Sequence, residues 1–322
     1  MSARTSAGDG DRVLGAGAPG STTVTILPFE PEPDELVCVV GPTASGKTEL
    51  AIRICEEIGG EIIGADSVQI YRHFDIGSGK PTAEEQGRAR HHLVDVQDPR
   101  DPLDAARFAG MADATVAEVR SRGRVPIVCG GAFLWVKALV WGLARAPAAD
   151  EQVRLSIRRD AERLGVAAVH ARLAEVDPQT AGRLSPNDLV RIERALEVWE
   201  LTGQTLSALH AEHRAQPPRH RARFVAVRWK REELDERISL RAQGWLEGGW
   251  IDEVKRLVEM GLGETRPMGS VGYRQVREHV EGRLSREDLH VQIERATRIF
   301  ARRQRTWVRD VPTSWIDPTW LR

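Results

Sequence analysis

The chain has 322 residues, of which 41% are hydrophobic and 29% charged, a balance typical of a soluble globular protein. This length fits one large α/β domain with an insertion, or two modest domains. The formal net charge of −1 excludes a protein that is basic throughout, as nucleic-acid coating proteins are, but it leaves room for a local basic patch.

The sequence offers neither a membrane segment nor a secretion signal. No stretch approaches the roughly 18 uncharged apolar residues that span a bilayer, and the N-terminal residues lack the continuous apolar centre of a signal peptide. Their Gly, Ser, Ala and Asp content predicts a disordered leader over residues 1–34. Cys38, Cys55 and Cys129 lie far apart without a CxxC spacing, so we expect reduced cysteines in a cytoplasmic protein.

After the leader, short apolar runs alternate with helical patterns. Residues 36–40, "LVCVV", predict a buried parallel strand, and residues 47–58 carry apolar side chains at helical spacing. Residues 61–65 and 125–131 predict two further strands, and residues 107–123 predict a helix between them. Strand, loop, helix and strand in this order predict an α/β fold with a doubly wound parallel sheet.

A wholly helical pattern follows the third predicted strand. Within it, Asn187 or Asp188 can cap a helix. Strand character returns at residues 223–229, and residues 313–317 predict a last short strand. The predicted organisation is an α/β core with C-terminal helices and an all-helical insertion, formed by residues 35–143 plus 217–322 and by residues 144–216.

Residues 41–48, "GPTASGKT", match the phosphate-loop pattern G-x-x-x-x-G-K-[ST] without a mismatch, which predicts a P-loop NTPase-like core. Backbone N–H groups of such a loop close around phosphate oxygens, and the N-terminus of the following helix adds a favourable dipole. Lys47 brings positive charge to the outer phosphates, and the Thr48 hydroxyl is the usual ligand of Mg²⁺. The expected phosphate-binding residues are Gly41, Pro42, Thr43, Ala44, Ser45, Gly46, Lys47 and Thr48.

The loop predicts bound phosphates but not a reaction. A motor or GTPase needs a strand that ends in an acidic residue to hold Mg²⁺ and orient water. The strand at 125–131 ends in two glycines, so hydrolysis is disfavoured. Asp66 follows another strand, at the carboxyl edge where open α/β sheets bind ligands. It is a candidate base for an attacking group, with a helix cap or a Mg²⁺ ligand as the alternative.

Seven segments, in order, resemble the tRNA dimethylallyltransferases, also called tRNA isopentenyltransferases. They cover roughly residues 36–317 and include "GPTASGKTELA", "GADSVQIYRHFDIGSGKP", "SPNDLVRIERALEVWELTGQTLS" and "TRIFARRQRTWVR". The resemblance implies that the loop holds dimethylallyl diphosphate. The exocyclic amine of an adenine beside the tRNA anticodon attacks the allylic carbon, and diphosphate leaves with Mg²⁺.

The resemblance also implies roles for single residues. The catalytic residues are Asp66, as the base toward the amine, with Lys47 and Thr43, and Thr48 holds the metal. Gln69 is expected to contact a base edge, with a structural role as the alternative. The implied tRNA contacts are Asp66, Ser67, Val68, Gln69, Ala132, Arg154, Val190, Arg191, Ile192, Glu193, Arg194, Gly272, Tyr273 and Arg274. The insertion at 144–216 is then tRNA-binding, and we expect a monomer that binds the anticodon stem-loop.

Arginines near the C-terminus indicate an RNA partner independently of the resemblance. Five of them recur at steps of three and four along one predicted helical face: Arg295, Arg298, Arg302, Arg305 and Arg309. Such a row fits a phosphate backbone. A solvated face with acidic partners elsewhere is the alternative.

The chain departs from the family pattern at three places. Ala132 stands where the family has a threonine near the reacting centre, and loss of one transition-state donor costs on the order of 10²–10³ in rate. Phe133 and Trp135 are expected to enlarge a wall of the pocket, and Val190 removes one polar tRNA contact. The alternatives to a tRNA prenyltransferase are a catalytically impaired tRNA-binding paralogue, an isopentenyltransferase of free adenine nucleotides, and a small-molecule kinase that consumes ATP.

Overall fold

Six parallel strands form one sheet in the computed structural model, which describes residues 26–321. The strands are β1 (Glu35–Val40), β2 (Gly60–Gly64), β3 (His91–His92), β4 (Val125–Gly130), β5 (Arg221–Val227) and β6 (Thr313–Ile316). Their order across the sheet is β3-β2-β4-β1-β5-β6, and each neighbouring pair is parallel. This arrangement confirms the predicted α/β fold. It also places the loop after β1 near the middle of the carboxyl edge of the sheet.

Helices cover both faces of this sheet. Those in the described chain are α1 (Lys47–Ile58), α2 (Ala83–Arg88), α3 (Ala105–Ser121), α4 (Phe133–Val140), α5 (Glu151–Leu164), α6 (Val166–Val176), α7 (Pro178–Ala181), α8 (Leu189–Thr202), α9 (Leu206–Arg214), α10 (Arg231–Glu247), α11 (Trp250–Glu259), α12 (Tyr273–Val280) and α13 (Arg286–Val308). None of the helices in residues 26–321 is long and apolar enough to cross a membrane.

The alternation of side chains along β1 separates two apolar cores. Leu36 and Cys38 point to the face covered by α3, α4 and α11 to α13, whereas Val37 and Val39 point to the face covered by α1. All six residues of β1 are buried, as the apolar run predicts for a central parallel strand. The three cysteines are free, as predicted, and all three are buried.

Residues 26–34, which the sequence assigns to the leader, instead pack against the α1 face. Leu27 is buried in the apolar core on that face. The Ile26 N–H donates a hydrogen bond to Glu57 Oε2 (3.0 Å), and the guanidinium of Arg223 lies 5.0 Å from the centre of the Phe29 ring. The leader prediction overlooked this short apolar cluster within a polar stretch. Residues 1–25 lie outside the described residues.

The five helices α5 to α9 form a separate unit between α4 and β5. Their own apolar core includes the fully buried side chains of Ile157, Leu173 and Leu196. Helix α8 begins after Asp188, whose Oδ1 accepts a hydrogen bond from the Arg191 N–H (3.4 Å), so Asp188 rather than Asn187 is the cap. This unit falls within the predicted insertion, and β5 returns the chain to the sheet.

Candidate active site

The loop after β1 (the P-loop, residues 41–48) has the backbone of a phosphate cradle. Positive φ angles at Ala44 and Gly46 turn the chain sharply before α1 begins at Lys47. The N-terminus of α1 therefore faces whatever the loop holds, and it favours negative charge. The Ser45 hydroxyl is buried and has no hydrogen-bond partner among the described residues, so it is available to an anion.

A glutamine of α13 joins the P-loop to the end of β4. Gln304 Oε1 accepts a hydrogen bond from the Thr43 N–H (2.8 Å), and Gln304 Nε2 donates to the Gly131 carbonyl (3.0 Å). Gln304 is itself buried. Because buried amides are costly to leave unpaired, this double contact fixes the spacing between the loop and the glycines that close β4.

Two side chains from the segment after β5 hold the outer side of the P-loop. Trp229 Nε1 donates to the Ser45 carbonyl (2.8 Å), and Arg237 Nε donates to the Ala44 carbonyl (2.8 Å). The Arg237 guanidinium also stacks on Trp229, 4.6 Å from the ring centre. Since these bonds take up loop carbonyls, the P-loop is held in shape before any ligand binds.

Gly130, the last residue of β4, allows β4 to approach β2 closely. A Cβ at this position would lie 2.0 Å from the Ala65 carbonyl oxygen. We therefore expect Gly130→Ala to lower the free energy of unfolding by about 1–3 kcal/mol, measured by urea denaturation. Gly110→Ala, in the interior of α3, is the control: outside the backbone of its own helix and its two chain neighbours, nothing lies within 4 Å of the added Cβ, so it should be neutral or stabilising by about 0.5–1 kcal/mol. Equal denaturation midpoints for Gly130→Ala and the unmodified chain would contradict this packing.

Asp66 lies just beyond β2, where its carboxylate is fixed by its own turn. Oδ1 accepts hydrogen bonds from the N–H groups of Val68 (2.9 Å) and Gln69 (3.3 Å). Burial lowers the pKa of Lys47, and the negative charge of Asp66 partly opposes that shift. The carboxylate and the P-loop lysine are thus electrostatic neighbours. Oδ2 has no hydrogen-bond partner among the described residues, so it can accept one from a ligand.

Arg241 of α10 is a site residue that the sequence did not reveal. Its Nη2 donates to Thr43 Oγ1, and its guanidinium stacks on Trp245, 4.4 Å from the ring centre. Burial lowers the pKa of Arg241 to about 10, with the charge of Asp66 acting in the opposite direction, so the group stays protonated at neutral pH. Arg241 thus adds a fixed positive charge beside the P-loop. One arginine in a helical pattern gives no signal until α10 is packed on the loop.

A cavity of about 400 Å³ connects these groups. Thr43, Asp66 and Arg241 line it together with Gly131 and Ala132. Its remaining walls are largely apolar and include Ile238, Ala242, Trp245, Trp250, Ile293 and Phe300. Charged groups in an otherwise apolar cavity fit a ligand that combines an anionic head with a hydrocarbon part.

Residues that follow Asp66 form another part of the cavity wall. Ser67 and Val68 line it directly, as do Gly77 and Ser78 from the next loop. The Gln69 side chain donates to the carbonyls of Ser78 (3.1 Å) and Gly79 (2.8 Å). The Gln69 amide N–H groups are thus used within the protein, as in the structural alternative, whereas its Oε1 accepts no hydrogen bond among the described residues and base recognition stays a prediction.

Glu253 holds the same loop from behind. Its Oε2 accepts hydrogen bonds from the N–H groups of Asp75 (3.2 Å) and Ile76 (2.6 Å), and its Oε1 accepts one from the Tyr273 hydroxyl (2.6 Å). The Tyr273 side chain is fully buried, and Gly272 is packed against the Trp250 ring. Tyr273 was expected to contact tRNA, but its buried side chain cannot do so directly. It supports the cavity wall from inside the protein. Residues 269–271, just before it, line the cavity instead.

The segment 190–194 of α8, expected to contact tRNA, is only partly accessible to solvent. Val190 and Arg191 are exposed, whereas the side chains of Ile192 and Glu193 are buried. Ile192 belongs to the core of the insertion, and Glu193 accepts a hydrogen bond from Arg158 Nε (2.7 Å). Direct tRNA contacts by these two side chains are thus excluded in this structure, because helical periodicity turns them inward.

Arg154 and Arg194 meet on one fully buried carboxylate. Glu197 accepts hydrogen bonds from Arg154 Nε (2.8 Å) and from Arg194 Nη1 (2.5 Å). It also accepts one from the Asp150 N–H (2.7 Å), and Arg194 donates to the Pro147 carbonyl (2.7 Å). Both arginines therefore fix the entry of the chain into the insertion, and neither lines the cavity.

Of the three residues that depart from the family pattern after β4, only Ala132 lines the cavity. Phe133 and Trp135 are buried in the core, where the Trp135 ring stacks on Phe108 with 4.5 Å between centres. The prediction that they enlarge a pocket wall is wrong, because α4 turns both rings away from the cavity. The Ala132 N–H donates to the Ala65 carbonyl (3.1 Å), and its methyl group offers no hydrogen bond to a ligand.

Helix α13 presents two different faces. Ile293, Thr297 and Phe300 line the cavity. The predicted arginine row lies at the surface, with Arg305 half-buried and the others exposed: Arg295, Arg298, Arg302, Arg305 and Arg309. Of these, Arg298 forms an ion pair with Glu294 (3.1 Å). The basic row therefore begins beside the cavity and continues along the helix.

Known proteins resemble this chain in sequence. A family model described as IPP transferase matches residues 69–311. The chain is 60% identical over 302 residues to a tRNA dimethylallyltransferase of Sorangium cellulosum (strain So ce56), covering 94% of this chain and 95% of that protein. It is 46% identical over 284 residues to one of Anaeromyxobacter dehalogenans (strain 2CP-1 / ATCC BAA-258), covering 88% and 93%.

Solved structures with a similar fold come from proteins of the same kind. A tRNA isopentenylpyrophosphate transferase of Bacillus halodurans superimposes with a TM-score of 0.65 at 33% identity, covering 88% of this chain and 90% of that one. A eukaryotic dimethylallyltransferase acting on tRNA has the same fold, with a TM-score of 0.76 at 24% identity over 89% and 75% of the two chains. The chain therefore belongs to the IPP transferase family, together with the tRNA dimethylallyltransferases.

Proposed function

We propose that the protein transfers a dimethylallyl group from dimethylallyl diphosphate to the exocyclic amine of an adenine adjacent to the tRNA anticodon. The observation that carries this proposal is the single cavity that joins Thr43 and Arg241, at the P-loop, to Asp66. An allylic diphosphate needs both a cationic site for its head and an apolar site for its tail, and this cavity offers both. The names of the relatives point to the same reaction.

The adenine amine is a poor nucleophile because its lone pair is delocalised into the ring. In the proposed step this nitrogen forms a bond to the allylic carbon, and the carbon–oxygen bond to diphosphate breaks. Diphosphate leaves with that electron pair, and Lys47 and Arg241 stabilise the charge that builds on its oxygens. Asp66 takes the proton from the nitrogen through its unpaired Oδ2. Because Asp66 lines this cavity rather than the outer surface, the adenine must leave its stack to reach it.

Mg²⁺ fits this site if it binds together with the diphosphate of the substrate. No cluster of three potential metal-ligating side chains occurs among the described residues, so a bound ion would rely on substrate oxygens and the hydroxyl of Thr48. Thr48 lies half-buried in the first turn of α1, and the hydroxyl of Ser45, three residues earlier in the P-loop, is buried and has no hydrogen-bond partner among the described residues. When bound, Mg²⁺ would neutralise charge on the departing diphosphate.

We also propose that the anticodon stem-loop is bound by the insertion and by exposed groups around the cavity. Ser67 beside Asp66, Val190 and Arg191 on α8, and Arg274 on α12 are exposed and therefore accessible to RNA. The row of arginines on α13 supplies positive charge for the backbone. In this proposal one chain provides both the P-loop and the RNA surface, so a monomer suffices.

Acceptor competition tests this function. The purified protein would be incubated with labelled dimethylallyl diphosphate and Mg²⁺, together with unmodified tRNA, the isolated anticodon stem-loop, or AMP. We expect label on tRNA and on the stem-loop, and none on AMP. Label on AMP alone would favour an isopentenyltransferase of free nucleotides. RNA binding without any transfer would favour an impaired paralogue, and in either case the proposal would be wrong.

A further inference from the structure

A second pocket lies beside the P-loop, at the carboxyl ends of β5 and β6. Its volume is about 290 Å³, and it shares no lining residue with the cavity described above. Three arginines and two tryptophans line it, with Pro42 of the P-loop as a neighbour: Arg228, Arg305, Arg309, Trp229 and Trp315. The carboxyl edge of an open α/β sheet is where such folds bind ligands.

The charge of this pocket is uncompensated. Among the described residues, no carboxylate forms an ion pair with Arg228, Arg305 or Arg309, and none lines the pocket. Asp310, next in sequence to Arg309, faces Lys137 instead (3.9 Å). Like charges around a small volume repel one another, which disfavours the arrangement unless an anion is present. Guanidinium groups pair with phosphate oxygens through several N–H donors, so a pocket lined by three arginines suits a phosphate.

The exposed Trp315 ring adds a second element of recognition. Trp229 is partly buried, bonded to the P-loop and stacked by Arg237, whereas Trp315 on β6 is 40% exposed although it is large and apolar. Exposed aromatic rings beside arginines form the surface on which unpaired nucleotides stack while their phosphates are bound. The pocket therefore combines a phosphate site with a platform for a base.

We propose that this pocket (the arginine pocket) is a second phosphate-binding site, separate from the P-loop, and that it binds a backbone phosphate of the RNA substrate. Arg305 and Arg309 continue the exposed arginine row of α13, so the pocket forms the end of one basic track. From Phe300, which lines the cavity, to Arg309 is roughly 14 Å along the helix, within the reach of one RNA loop. The phosphate chemistry stands on the pocket alone, whereas the RNA source rests on the proposed function.

Salt-dependent RNA binding tests the proposal. Binding of a labelled anticodon stem-loop would be measured from about 50 to 300 mM KCl for the unmodified chain, Arg305→Ala/Arg309→Ala and the control Arg90→Ala. Arg90 is an exposed arginine at the opposite edge of the sheet. We expect the double variant to bind about tenfold more weakly, with the slope of log K against log[KCl] shallower by about 1.4. The control should match the unmodified chain.

Two further experiments separate the effect of charge from that of packing, and binding of RNA from binding of free diphosphate. Arg305→Lys/Arg309→Lys keeps both charges and should recover most of the RNA affinity. Pyrophosphate would also be titrated into Lys47→Ala, with and without the double alanine change. Pyrophosphate binding that survives Lys47→Ala and vanishes when Arg305→Ala/Arg309→Ala is added would show that the arginine pocket binds free diphosphate. The pocket would then still be a phosphate site, but with a different ligand.

Three results would overturn the proposal that the arginine pocket binds a phosphate of the RNA. One is unchanged RNA affinity, salt slope and pyrophosphate binding in the double alanine variant. Another is equal loss of RNA binding in the lysine and alanine variants together with lower melting temperatures, because packing would then be the cause. The third is an equal loss of RNA affinity in Arg90→Ala. Failure of the proposed function would appear separately, as absence of transfer by the unmodified chain.

Discussion

Asp66→Asn is expected to slow dimethylallyl transfer by about 10²–10⁴ while leaving the binding of tRNA and donor nearly unchanged. Asparagine keeps the oxygen that accepts hydrogen bonds from the Val68 and Gln69 N–H groups, so the turn is preserved. It cannot take a proton from the adenine amine. The measurement is the single-turnover rate at saturating tRNA and dimethylallyl diphosphate.

Asp252→Asn is the matched control for this substitution. Asp252 is an exposed aspartate on α11, outside the cavity, and its replacement should leave the rate unchanged. Equal melting temperatures would show that both variants fold. If Asp66→Asn transferred the group as fast as the unmodified chain, Asp66 would not be the base.

Arg241→Gln is expected to lower kcat by about 10²–10³, because one preorganised charge on the leaving diphosphate is lost. Glutamine can still donate a hydrogen bond toward Thr43 Oγ1, so the change tests charge more than loop shape. The KM for tRNA should stay the same, since Arg241 is buried beside the P-loop. Steady-state kinetics with each substrate varied in turn would separate these effects.

Arg231→Gln on the same helix provides the comparison. Arg231 is exposed at the start of α10 and does not line the cavity, so its kinetics should match those of the unmodified chain. A rise in the KM for tRNA with unchanged kcat in Arg241→Gln would place Arg241 on the RNA rather than on the diphosphate.

The sequence predicted those parts of the protein that local physics determines. The P-loop is one contiguous motif, and β1 is a run of residues buried on both faces, so both were recognisable without any tertiary contact. Asp66 followed from the rule that ligands bind at the carboxyl ends of parallel strands. The family resemblance then gave the reaction, and the relatives support it.

Contacts between distant segments could not be predicted in this way. Arg241 and Gln304 meet the P-loop only because α10 and α13 pack beside it, and neither residue belongs to a local pattern. Phe133 and Trp135 lie within three residues of Ala132, yet the turn of α4 places them in the core. Nearness in sequence to a site residue does not show that a side chain lines the site when a helix begins there, because successive helical residues point in different directions.

The expected tRNA contacts show the same limit. Matching a family motif residue by residue does not separate the exposed members of the motif from those that support it. Val190 and Arg191 are accessible, whereas Ile192, Glu193 and Tyr273 are buried for reasons of helical phase and core packing. Glu193 and Glu197 can be buried because each is paired with an arginine from α5, a contact between helices that the local pattern does not show.

The most direct test of the proposed transfer, with Asp66 as its base, is nucleoside analysis of the RNA product. Unmodified anticodon stem-loop would be incubated with the protein, dimethylallyl diphosphate and Mg²⁺, then digested and examined by mass spectrometry. We expect one adenosine, next to the anticodon, that gains the mass of a single dimethylallyl group on its exocyclic nitrogen, and no such product with Asp66→Asn. Unmodified RNA after incubation with the active-site residues intact, or the group on another base or atom, would contradict it.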